Sequence, residues 1–180
     1  GSYETKNLLI ALGRHGFDQS RDLMKNHKIG YTDNSIDIGV RIETELNNYP
    51  IVKDYYDPKF IFPEKTRTFC TNSGDAHVVQ EKYTSKDGQD YYLVNGHAYS
   101  KLLNEPNGMV NFAMLRTNFF TEPMASGQDF AEHLAKMVML AGGGHPIYQR
   151  VEDIRLHTRS SSSGEKNFSF KPTLSSAVPG

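Results

Sequence analysis

Ile36, Ile38, Val40 and Ile42 alternate with Asp37, Gly39, Arg41 and Glu43. A side-chain period of two marks a strand with one face buried and the other wetted. No other run constrains the fold as much, and the segments after it continue in the same style. Arg67 to Asn72 and Ala76 to Tyr83 read as strands on either side of a turn at Ser73-Gly74-Asp75. Lys86-Asp87-Gly88 makes a hairpin turn into Tyr91 to Val94, and Asn95-Gly96 is another turn signal. Val110 to Phe120 is a long strand with Phe112, Met114 and Arg116 on one face. Between the first strand and this series, Asn47 to Glu64 carries Pro50, Pro58 and Pro63 and reads as an irregular, surface-packed segment.

Helices are fewer. Asn7 to Leu12 (NLLIAL) is a continuous apolar run, the pattern of a strand buried on both faces, and it ends at Gly13. Asp18 then caps a short helix over QSRDLMKNH, with Leu23, Met24 and His27 on one side and a stop before Gly30. A longer helix follows Pro123 and Ser126. Asp129 sits as in a capping box, and Phe130, Leu134, Met137, Val138 and Ala141 form the apolar stripe up to Gly142-Gly143-Gly144. Ile147 to Val151 is a short strand at best, Ser160 to Gly164 reads as a mobile loop, and Phe168 and Phe170 alternate. The expected class is therefore α+β: a mainly antiparallel or barrel-like sheet packed with one long and one short helix.

The 180 residues fit one domain, taken as 3–180, with Gly1-Ser2 set aside as a cloning scar. Twenty Lys+Arg against 21 Asp+Glu leave a net charge of -1, which argues against nucleic acid as a partner. Mean hydropathy is -0.57. The apolar runs are far short of the roughly 20 residues that cross a bilayer, so no membrane is expected. The single Cys70 excludes an internal disulfide framework and fits a cytoplasmic setting; its position in mid-strand reads as a packed core residue.

Motifs with a fixed chemistry are missing. There is no G-x-G-x-x-G, no P-loop and no H-E-x-x-H. The seven histidines are scattered without a local pair, so no metal is expected. Arg155 and Arg159, with His157 and Lys166 around the serine loop, are candidates for holding an anion. Ala11, Gly13 and Arg14 close the opening segment with small residues, where backbone can approach a ligand closely.

Nine segments in order carry a resemblance: IALGRHGFD, IDIGVRIE, YDPKF, RTFCTN, VNGHAYS, NFAML, FTEP, LAGGGHPIYQRVEDI and KPTLSSAVPG. Together they resemble the middle of the uncharacterised FAD-dependent dehydrogenases, flavoproteins whose glutathione-reductase-type FAD domain is split by an inserted second domain. The resemblance implies that this chain is the inserted cap, or substrate-binding, domain. Its partners would be the FAD-binding domain of the same parent chain and a small-molecule substrate that the resemblance does not name. FAD would be bound by the intact parent and not by this fragment alone. Ala11, Gly13 and Arg14 would lie near the flavin nucleotide in the intact parent. His15, His97, Tyr99, Gln149 and Arg150, polar groups at turns or strand ends of the matched segments, are the substrate-pocket candidates. His15 departs from the small hydroxyl residue the pattern favours there, and the serine loop is more polar than the pattern. No catalytic residue is implied. An excised insertion should also bring Leu9 to Leu12 close to Leu174 to Val178.

One rival reading needs no parent. A stand-alone β-rich module with Tyr91, Tyr92 and Tyr99 beside basic residues is built to stack a base or hold a peptide.

Overall fold

A computed structural model describes residues 1–99, 105–124, 126–161 and 171–180. The fold is mixed α+β, with an antiparallel sheet and helices against it; among the described residues no closed barrel forms. Strand β1 (Ile36–Glu45) pairs antiparallel with β5 (Met109–Asn118), Ile36 opposite Asn118 and Glu45 opposite Met109. Strand β5 pairs with the first half of β3 (Thr66–Thr84), and the two-residue β2 (Ile61–Phe62) also pairs with β3. The second half of β3, from Asp75, pairs with β4 (Asp90–Tyr99) in an unbroken hairpin ladder.

β3 thus runs through Ser73-Gly74-Asp75, where a turn is expected. Its two halves use different partners, and the change comes at a distorted stretch. The β5 register shifts between Phe69 and Asn72, Cys70 has φ 50° and Gly74 has φ 95°. Small polar residues here serve a bulged, bending strand instead of a reversal. Cys70 is half-buried on this stretch rather than packed in the core.

The bend folds the β3–β4 hairpin over one face of the β1–β5 sheet. Gly96 of β4 lies so close to that face that a Cβ would fall 2.2 Å from Asn111 Oδ1 and 2.4 Å from both Arg41 Nη1 and Asn72 Nδ2. Asn95-Gly96 is therefore mid-strand and not a turn, and the missing side chain is required by close approach. Arg41 holds the two layers together. Its Nη1 donates to the Cys70 carbonyl (2.8 Å) and Asn111 Oδ1 (3.1 Å), and its Nη2 donates to Asn95 Oδ1 (3.0 Å). Asn111 is fully buried.

Helix α2 (Gly127–Ala141) starts where the capping pattern places it, with Ser126 Oγ accepting from the Asp129 N–H (3.2 Å). It packs on the hairpin through Ala135 and Met139 against Tyr83 and Tyr91. Met137, Val138 and Leu140 point outward, so the buried stripe is rotated from the one expected. Helix α1 (Phe17–Asn26) follows Gly16, with Asp18 in its first turn rather than at its cap. Ion pairs tie α1 to its surroundings: Arg21 to Asp129 of α2 (3.1 Å), and Asp22 to Lys86 at the hairpin turn (3.2 Å). The short strand β6 (Ile147–Tyr148) pairs in parallel with β7 (Val178–Pro179), and the one-turn helix α3 (Val151–Arg155) lies between them in sequence.

Asn7 to Leu12 forms no strand. Leu8 is 76% and Leu9 90% exposed, and among the described residues no strand pairs with this run. Most of the serine loop, and the alternating Phe168 and Phe170, fall at 162–170, outside the described residues.

Candidate functional site

The β3–β4 ladder assembles one face on which an acid, two imidazoles and a phenol meet. Tyr99 stands opposite Asp75 and His97 opposite His77. Residues two apart on a strand share a face, and directly opposed residues lie side by side. His77 Nε2 is 2.7 Å from Asp75 Oδ1. A carboxylate only accepts, so His77 Nε2–H donates to Asp75. Asn107 Nδ2, at 3.5 Å from the same Nε2, is a neighbour and not its partner. Tyr99 meets both imidazoles edge-on, at 5.4 Å from His77 and 4.8 Å from His97.

Backbone clamps hold this face in place. Asn107 accepts from the Ala76 N–H (3.2 Å) and the Met109 N–H (3.0 Å), and donates to the Ala76 carbonyl (2.6 Å). Ala76 is fully buried between the two residues of the acid–histidine pair. An imidazole oriented by a buried-side carboxylate is suited to taking a proton from an O–H or N–H group and returning it. Tyr99, 47% exposed, offers such a ligand an apolar contact.

Of the residues singled out in the sequence, His97 and Tyr99 belong to this face. Asp75 and His77 do not stand out in the sequence, because a turn at 73–75 would conceal the register that pairs them with Tyr99 and His97. Arg14 and His15, in the single 3-10 turn that leads into α1, contact residues further along β3. His15 stacks on Tyr83 at 4.5 Å and its Nε2 is 3.1 Å from the Lys82 carbonyl. Arg14 pairs with Glu81 (2.9 Å) and lies 5.7 Å over the Tyr83 ring. His77 and Glu81 are four strand residues apart, roughly 13 Å. Glu81 also accepts from Asn95 Nδ2 (2.9 Å) and the Tyr83 hydroxyl (3.0 Å). Burial alone would raise its carboxyl; the hydrogen bonds from Asn95 and Tyr83 and the charge of Arg14 outweigh that and hold it below the usual glutamate value. Burial, with the bond to Glu81, pushes the Tyr83 phenol up to about 12.

The other candidates lie elsewhere. Gln149 Nε2 donates to the Gly180 carbonyl (3.2 Å), and Arg150 pairs with Asp153 next to Ser160. Arg155 ends α3, and Arg155 and Arg159 are both exposed. Ala11, Gly13 and Arg14 are on the surface. Gly13 has φ 64° with open space where a Cβ would be, so a ligand can approach its backbone; the Arg14 guanidinium would be shared with Glu81. Among the described residues no cluster of three or more His, Cys, Asp or Glu is placed to hold a metal, and no helix is long and apolar enough to cross a membrane.

Compared with protein-family models, with curated proteins and with solved structures, the chain matches none.

Proposed function

We propose that residues 3–180 form the cap, or substrate-binding, domain of a larger cytoplasmic FAD-dependent oxidoreductase, inserted into an FAD-binding domain of the same parent chain. The observation that carries this reading is that Arg14–His15 and Thr173–Ser176, the segments next to the two expected connections, meet one stretch of β3. From the leading side, Arg14 binds Glu81 and His15 contacts the Lys82 carbonyl. From the trailing side, Thr173 Oγ1 accepts from the Val78 N–H (2.9 Å) and Ser176 Oγ donates to Gln80 (2.8 Å). A domain inserted into another must return its two connections side by side.

A second feature supports it. Asn7 to Leu12 is apolar, exposed and unpaired, and a run of that kind is at home in a parallel sheet covered on both faces. The FAD domain would supply that sheet, placing Ala11, Gly13 and Arg14 beside the flavin. FAD would do the redox chemistry, while the Asp75–His77–His97–Tyr99 face would wall the substrate pocket and exchange a proton with the substrate.

Purifying the protein encoded by the whole natural reading frame, beside the 180-residue chain, tests this reading. The intact protein should carry a flavin absorption band in stoichiometric amount, and the chain alone should be colourless. A flavin-free intact protein would overturn the proposal, as would a yellow isolated chain. Salt-dependent binding of the isolated chain to single-stranded RNA would favour the stand-alone module instead.

A further inference from the structure

At the end of the sheet opposite the hairpin, Glu64, Lys65, Arg116, Thr117, Asn118 and Phe119 line an open groove of about 440 Å³. Its shape comes from the tight turn joining β2 to β3. The Thr66 N–H donates to the Pro63 carbonyl (3.3 Å), and both central residues, Glu64 and Lys65, have φ 58°. Two consecutive left-handed residues are ordinarily asparagine or glycine. Here they carry long charged side chains and aim both at the end of β5. The Thr117 N–H donates to the Lys65 carbonyl (3.1 Å) and fixes the turn against that strand.

The charges in the groove are poorly balanced. Lys65 Nζ lies 4.1 Å over the Phe119 ring, and among the described residues it has no carboxylate within ion-pair distance. Among the described residues Arg116 pairs with Glu64 alone, at 3.4 Å, and both side chains are largely exposed. The next acid, Asp37, is already taken by Arg67 (2.7 Å) and the Thr117 hydroxyl (2.6 Å). Asn118 turns its amide to the Arg116 carbonyl (2.8 Å), leaving two cations against one carboxylate above a 64% exposed phenylalanine ring.

We propose that this groove is a binding site for a small ligand with an anionic head group, a carboxylate or a phosphate, and an apolar body. The head group sits between Lys65 and Arg116, displacing the carboxylate of Glu64, and the body lies on Phe119. The site belongs to this chain's own surface and functions whether or not a flavin domain stands beside it.

The test is a titration of the 15N-labelled chain with phenyl phosphate, benzoate and inorganic phosphate, followed by amide shifts. Saturable shifts should centre on 64–67 and 116–119. Lys65→Ala should weaken binding of phenyl phosphate about tenfold, the worth of one charge-assisted contact. Glu64→Gln should tighten it by freeing Arg116. Phe119→Ser should weaken phenyl phosphate while leaving inorganic phosphate unchanged. Comparison of benzoate with phenyl phosphate distinguishes carboxylate from phosphate as the preferred head group. Shifts that fail to saturate, shifts centred on Arg155 and Arg159, or affinities indifferent to Lys65→Ala in a variant with an otherwise native spectrum would each overturn the proposal.

Discussion

Gly96 shows how one missing side chain sets the packing of two layers. Around it, Asn111 is fully buried and Arg41 is fastened to three oxygens, so none of its neighbours can swing away. Gly96→Ala should therefore cost about 1–3 kcal/mol by overpacking, read as a lower urea midpoint; an unchanged midpoint would mean that the layers do not meet there. Glu81 makes a different prediction. Its folded carboxyl is held below its ordinary value, so its contribution is complete above the unfolded value of about 4.3. That contribution is lost as pH falls through the lower folded value. Native protein should be more stable than Glu81→Gln at neutral pH, and the gap should close in acid. Denaturation midpoints measured across pH would expose a constant gap, which is the contrary result. Neither role is legible in the amino acids alone: Asn-Gly is the same dipeptide in a turn or under a close contact, and the partners of Glu81 come from distant Arg14 and Asn95.

At the scale of elements, α2 was the most legible. Ser126, Asp129 and the triple glycine are local chemistry, and they end the helix where a single sequence can see it. Ser126→Ala should cost about 1 kcal/mol, measured as a drop in thermal midpoint; no drop would mean that the hydroxyl leaves the Asp129 N–H at little cost. The face α2 buries was less legible. Met137 and Val138 fit the apolar stripe as well as Ala135 and Met139 do, and only the positions of Tyr83 and Tyr91 decide which side turns inward. β3 is ambiguous in the sequence for the same reason. A bulged strand and a turn both call for small polar residues, and Ser73-Gly74-Asp75 satisfies either. That ambiguity hides the acid–histidine pair, while His97 and Tyr99 are legible because they lie in a compact motif on the partner strand.

For the whole molecule, Leu8 and Leu9, which are 76% and 90% exposed, carry the sharpest test. An apolar run with both faces in water gains nothing from its composition, since burial of a leucine side chain is worth roughly 1.5–3 kcal/mol only when it is removed from water. Within the isolated chain these leucines contribute no packing, and the double substitution Leu8→Ser, Leu9→Ser should leave stability within about 0.5 kcal/mol of the native value. Inside an intact flavoprotein the same two residues would occupy a sheet, and the same double substitution should lower the thermal midpoint and the flavin content together. The contrast between the two contexts is the decisive measurement. A large loss of stability in the isolated chain would show that the run packs within this domain after all. Indifference in both contexts would leave the run with no buried role, and would remove the second of the two supports for treating this chain as an inserted cap.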